Sequence, residues 1–199
     1  MPSLARFPET IDAIVLGASA GGAEALGVLL SSLPARTAAS LFVVLHLPRN
    51  RPSLLVDIFA RRCALNLREA EDKDPVEPGT VYFAPPDYHM LIEEGPCIAL
   101  SVDAPVRYSR PSIDALFESA AAVYRERLLG IILTGANDDG AAGLVAVHEA
   151  GGLAIVQDCA SARAAFMPAA AKQSVPSAKV LSLDEIANLF KTIQPEVSA

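Results

Sequence analysis

The 199-residue chain is poor in cysteine. Cys63, Cys97 and Cys159 are widely spaced and form no Cys-x-x-Cys pair, which excludes a disulfide framework and argues against a structural zinc site. They are expected to serve as small buried hydrophobes in a reducing compartment. An excess of basic charge is also missing: 16 Lys+Arg stand against 23 Asp+Glu, a formal net charge of −7. A general nucleic-acid binder carries the opposite sign, so no nucleic-acid partner is expected. The longest apolar stretches, such as Leu41–Val44 and Leu128–Leu133, are strand-sized, so no membrane insertion is expected. Met1–Thr10 lacks the apolar segment of a secretory leader. The chain also has no internal repeat, low-complexity tract or linker. A cytoplasmic protein is the expectation.

Hydrophobic residues are plentiful, at 52 %, with 20 % charged. A chain of this length buries roughly 70 % of its unfolded surface and needs no staple. One domain over residues 1–199 is expected, with its core over about 12–193. Residues 12–17 read as a buried strand, and 21–33 carry helical spacing in Ala25, Leu26, Leu29, Leu30 and Leu33, ended by Pro34. Leu41–Leu45 is a second buried strand and Pro52–Cys63 a second helix. From about Arg68 to Val102, short apolar runs alternate with Pro and Gly, which predicts small strands and hairpins. Ser112–Arg127 reads as a helix with Ser112 as N-cap, Leu128–Leu133 as a buried strand, and Ala141–Ala150 as a helix closed by Gly151-Gly152. Leu153–Val156, a helical turn near Pro168–Lys172, Lys179–Leu181 and a helix over Leu183–Ile193 follow. Uniformly apolar strands alternating with helices predict an α/β fold: a doubly wound, mostly parallel sheet flanked by helices, with a small β-hairpin insertion. Sites in such sheets form beyond the carboxyl ends of the strands.

The loop after the first strand is Gly17-Ala18-Ser19-Ala20-Gly21-Gly22. As a phosphate cradle it is poor. Ser19 stands where a dinucleotide fingerprint needs its second glycine, and no Asp or Glu lies between Glu24 and Asp57. As Gly-x-Ser-x-Gly it matches a nucleophile turn, in which small neighbours let a tight bend present the hydroxyl over the sheet edge. A serine that merely N-caps a helix in a Gly-rich turn fits the same five residues. His46 ends the second strand, where a histidine satisfied by backbone is the plain alternative. His89 follows Pro85-Pro86-Asp87, and His148 lies late in a helix beside Glu149, where a surface or C-terminal dipole role fits. After Leu133 come Asp138 and Asp139, which read as helix caps or as partners for an imidazole. A serine nucleophile needs a base, and the base needs a carboxylate to fix its tautomer. Here each type follows a different predicted parallel strand at the same edge. The order Ser19, His46, Asp139 differs from the Ser, acid, His order of an α/β-hydrolase.

With these blocks assembled, the sequence resembles the catalytic domain of the bacterial chemotaxis protein-glutamate methylesterases (CheB type). The resemblance runs from about Ile14 to Leu189. It rests on Gly17–Gly22, His46 with Pro48, Ala84-Pro85 with His89-Met90, Arg110-Pro111-Ser112-Ile113-Asp114, and Thr134-Gly135 with Asp139-Gly140, while Gln157, Ser161 and Met167-Pro168 also fit. It implies a serine hydrolase without a cofactor. Such an enzyme hydrolyses glutamyl methyl esters on methylated chemoreceptor cytoplasmic helices and also deamidates receptor glutamine. By motif position Ser19 is the nucleophile, His46 the general base, Asp139 the orienting carboxylate, and the backbone N–H groups of Ala20 and Ala136 the oxyanion donors; Asp138 does not match.

Two departures from the family pattern stand out. Ala136-Asn137 replaces the usual Met-Gly, and Asn is expected to tolerate a glycine-like positive φ there. Only about a dozen residues precede the first strand, so a receiver domain in cis is not expected and a separate response-regulator protein would take that role. Arg49, Arg51, Arg107 and Arg110 lie near the predicted edge as contacts for an acidic helix or as ordinary surface charge, Arg110 alternatively bracing a loop. Two other functions fit the same residues: a non-catalytic signalling interaction module, and a serine esterase or amidase for small molecules.

Overall fold

A computed structural model of the chain describes residues 11–47 and 53–193. In chain order the elements are β1 (Ala13–Ala18), α1 (Gly22–Leu30), β2 (Ser40–Leu45), α2 (Leu55–Ala60), β3 (Asn66–Glu69), β4 (Thr80–Phe83), β5 (His89–Glu93), β6 (Cys97–Ser101), α3 (Ile113–Tyr124), β7 (Leu128–Ile132), α4 (Ala141–Glu149), β8 (Leu153–Gln157), α5 (Phe166–Ser174), β9 (Lys179–Leu181) and α6 (Leu183–Phe190). Seven strands form one sheet in the order β3-β4-β2-β1-β7-β8-β9, and every pair in it is parallel. β5 and β6 form a separate antiparallel hairpin. The α/β class, the parallel sheet and the hairpin expected from the sequence are all present.

The uniformly apolar strands are explained by burial on both sheet faces. On one face Ile14, Leu16, Leu41, Val43 and Phe83 pack with Leu26, Leu29, Phe59 and Phe190 from α1, α2 and α6. On the other, Val15, Phe42, Val44, Tyr82 and Ile132 pack with Phe117, Leu144 and Ala171 from α3, α4 and α5, and with Met90 and Ile98 of the hairpin. β1 is central. The chain builds outward from it through β2 and β4, then crosses over it to β7, so strand order reverses at β1. Crevices at such switch points are where parallel sheets hold their sites.

Some local expectations change. The Pro/Gly-punctuated stretch forms small strands as well as a hairpin: buried β4 joins the main sheet beside β2, partly exposed β3 pairs with it as the edge strand, and β5–β6 form the insertion. α2 is shorter than Pro52–Cys63, and Pro52 lies outside the described residues. The turn near Pro168 is a nine-residue helix, with Pro168 in its first turn where a missing N–H costs little. The cysteines are not buried hydrophobes: Cys63 and Cys97 are half-buried and Cys159 exposed, all three as free thiols, because they sit at element ends and in a loop. No helix among the described residues is long and apolar enough to cross a membrane.

Candidate active site

The carboxyl ends of β1, β2 and β7 are locked level with one another. Ala18 pairs with Leu45, and the ladder continues into the loops: the His46 N–H donates to the Ala18 carbonyl at 3.0 Å, and the Ser19 N–H to the Thr134 carbonyl at 2.9 Å. Ser19, His46 and the Thr134–Gly140 loop are therefore held at one edge by backbone alone. Gly17 permits this, since a Cβ there would lie 2.4 Å from the Ile113 side chain at the start of α3. Gly21 caps α1 at φ 81°, a conformation that favours glycine.

His46 Nε2 lies 2.9 Å from Asp139 Oδ2. Asp139 has no exposed surface and also accepts from Ser112 Oγ (2.9 Å), the Ile113 N–H (2.8 Å) and the Asp114 N–H (3.0 Å). Burial pushes its carboxyl up, but the His46 hydrogen bond and the two N–H groups outweigh that, and it is held below the ordinary carboxyl range. An ionised carboxylate only accepts, so the shared proton sits on His46 Nε2 and Nδ1 carries the lone pair. Nδ1 faces the amide nitrogen of Asn137 at 3.5 Å. Ser19 is half-buried, and its hydroxyl makes no hydrogen bond among the described residues. The structure thus joins His46 to Asp139 and puts Ser19 on the adjoining loop without closing a Ser19–His46 bond.

The turn after Ser19 is tied to the loop after β7. Thr134 Oγ1 donates to the Ala20 carbonyl at 2.8 Å and accepts from the Ala164 N–H at 2.8 Å, while Gln157 Oε1 accepts the Thr134 N–H at 2.9 Å. Ala20 and Ala136 are exposed at the rim, and their N–H groups donate to no intramolecular acceptor among the described residues. Asn137 does not adopt a positive φ, contrary to expectation; this loop needs no glycine-like residue there. Its Oδ1 is buried without a partner.

Asp138 pairs with Arg107 instead of His46, and Arg107 also donates to Asp114 at 3.2 Å. Arg110 braces a loop through the carbonyls of Val102 and Asp103. Arg49 and Arg51 lie outside the described residues. His148 is remote from the three side chains, in the last turn of α4 against Ser177. Sequence reasoning gave no role to Ser112, Asp114, Thr134 or His89 at the site, although all four lie in the motif blocks. Their signal was present as polar residues amid apolar ones, but the contacts that use it span more than twenty residues. No group of three or more metal-ligating side chains was found among the described residues.

Known proteins share the sequence and the fold of this chain. Residues 14–190 match the family model described as CheB methylesterase. A Leptospira interrogans protein, whose name is given provisionally as protein-glutamate methylesterase/protein-glutamine glutaminase, is 44 % identical over 179 residues, covering 90 % of this chain and 93 % of its own. The protein-glutamate methylesterase/protein-glutamine glutaminase of Symbiobacterium thermophilum is 37 % identical over 92 % of this chain, which spans 50 % of that longer protein. The crystal structure of the Thermotoga maritima CheB methylesterase catalytic domain superposes with a TM-score of 0.84 at 28 % identity, covering 90 % of this chain and 98 % of that one.

Proposed function

The chain belongs to the CheB methylesterase family, and we propose that Ser19, His46 and Asp139 hydrolyse glutamyl methyl esters on chemoreceptor helices as nucleophile, base and orienting carboxylate. Membership makes the protein a hydrolase of this type. The observation that carries the residue assignment is the 2.9 Å bond between His46 and buried Asp139 at the edge that also carries Ser19.

The tautomer dictates the route. With Nε2–H committed to Asp139, the base is Nδ1. Ser19 Oγ forms a bond to the ester carbonyl carbon and gives its proton to Nδ1; Asp139 stabilises the imidazolium. The carbonyl electrons move to oxygen, and the open N–H groups of Ala20 and Ala136 receive the oxyanion, each donor worth about 3 kcal/mol. Collapse breaks the carbonyl-carbon–methoxy bond, Nδ1 returns its proton to the leaving oxygen, and methanol departs. Water then attacks the acyl-enzyme, with Nδ1 as base again, releasing a glutamate carboxylate and restoring Ser19. A glutamine side chain enters the same cycle with ammonia as leaving group. Leu47, Tyr88, Tyr108 and Phe166 are exposed on loops and helix starts at this end of the sheet and supply apolar contact for a partner helix.

The test is methanol release from a carboxymethylated receptor. Ser19→Ala should lower kcat by about 10⁴–10⁶ and abolish fluorophosphonate labelling. Near-normal turnover by that variant would reject the nucleophile. A wild-type protein that neither labels nor releases methanol would favour an interaction module on the same fold.

A further inference from the structure

One buried histidine remains unused by this chemistry. We infer that His89 is a positioning residue for Asp139, acting through Ser112; the inference rests on the triad reading and extends it. His89 opens β5 and is 3 % exposed. Its Nε2 lies 3.3 Å from the Ala104 carbonyl, and its Nδ1 accepts the Ser112 N–H at 3.1 Å. A carbonyl only accepts and a backbone N–H only donates, so these contacts fix the ring as the neutral Nε2–H tautomer.

Ser112 is fully buried and is the N-cap of α3. Its N–H points at His89 and its hydroxyl at Asp139 Oδ1, 2.9 Å away, while the same hydroxyl accepts the Ala115 N–H at 3.4 Å. The next two N–H groups, of Ile113 and Asp114, complete the grip on Asp139. Three of the four donors to the catalytic carboxylate therefore come from one turn of backbone, and His89 anchors the first residue of that turn. The continuous path runs Ala104 carbonyl, His89, Ser112, Asp139, His46. An apolar side chain at 89 would leave the Ser112 N–H without an acceptor and free the turn to rotate, which displaces the hydroxyl from Asp139 and the carboxylate from His46. His89 does not touch the reacting atoms.

The experiment compares His89→Leu, His89→Asn and Ser112→Gly with wild type by methanol release and by ¹⁵N and downfield ¹H NMR of the histidines. Asn places a carbonyl oxygen where Nδ1 stands, so it restores the acceptor. His89→Leu should lower kcat about tenfold with KM within about twofold, and should shift the His46 Nε2–H resonance. His89→Asn should recover both to within about threefold. Ser112→Gly keeps the N–H for His89 and costs the helix cap little, so it should lower kcat while the His89 tautomer stays unchanged. Equal activity of His89→Leu and wild type, equal loss in the Leu and Asn variants, or an Nδ1–H tautomer at His89 would each overturn the inference. If His89→Leu does not fold, Ser112→Gly and the wild-type tautomer still decide it. Failure of the triad reading looks different: there Ser19→Ala keeps its turnover whatever residue 89 is.

Discussion

A carboxylate with no exposed surface survives as an anion only when donors surround it, and Asp139 has four: His46, Ser112 and the N–H groups of Ile113 and Asp114. Because all four contacts donate, the imidazole proton is committed to Nε2, and Nδ1 carries the lone pair that the proposed mechanism uses. Asn137 occupies the space before that atom, its amide nitrogen 3.5 Å away. On the proposed mechanism the amide competes with the Ser19 hydroxyl for the same lone pair. A long neutral hydrogen bond of this kind is worth about 0.5–1 kcal/mol, so Asn137→Ala should speed fluorophosphonate labelling of Ser19 about two- to fivefold. Pseudo-first-order labelling rates at fixed pH check this, and a slower variant would mean that the amide helps the serine instead. At this scale the sequence was legible in residue type and order. Ser19, His46 and Asp139 stood out because a residue of nucleophile type, one of base type and one of acid type each follow a strand, and the structure joins the last two. The Asn137 contact was not, because it depends on a side-chain direction that spacing cannot encode.

The two helices that meet at the site cap each other. The Asp139 carboxylate, just before α4, receives the first N–H groups of α3, and the Asp114 carboxylate, in the first turn of α3, receives the Gly140 and Gly143 N–H groups of α4 at 2.9 and 2.7 Å. Each carboxylate sits on a partly positive helix end that otherwise holds orphan donors. Asp114→Ala should orphan two buried N–H groups and loosen Arg107, costing about 2–4 kcal/mol by urea unfolding, and should lower kcat because Gly140 adjoins Asp139. Asp114→Asn keeps an acceptor oxygen for both N–H groups and should recover more than half of that loss. The Ser112 cap was readable from Arg-Pro-Ser-Ile-Asp, since a cap is a local device. The crossed role of Asp114 was not, because nothing local says which helix end lies opposite. The places of β3 and β4 in the sheet were not readable for a related reason: a four-residue strand does not encode which edge it pairs with.

Across the whole molecule, the reversal of strand order at β1 gathers three loops from distant parts of the chain, and a fully parallel sheet makes all of them emerge at one edge. This much followed from uniformly apolar strands alternating with helices, which is why the fold was the most legible level. The same convergence puts two buried carboxylates side by side, and they pull the stability of the protein in opposite directions with pH. Asp139 lies below its ordinary value when folded. The unfolded chain takes up that proton first, so its contribution is present above the ordinary carboxyl range and is lost as pH falls through the folded value. Asp114 lies above its ordinary value: burial raises it, the charge of Asp139 adds to that, and the N–H groups of Gly143 and Gly140 with Arg107 offset only part. The folded protein takes up that proton first, so its contribution is present at low pH and is lost as pH rises through the folded value. Urea midpoints between about pH 3 and 7 separate the two, since each tenfold difference in proton affinity between folded and unfolded chain is worth about 1.4 kcal/mol. The deficit of Asp139→Asn relative to wild type should grow as pH rises, and that of Asp114→Asn should shrink. Deficits that change in the same direction would contradict the opposed electrostatics of the pair and, with them, the buried anion on which the orientation of His46 depends.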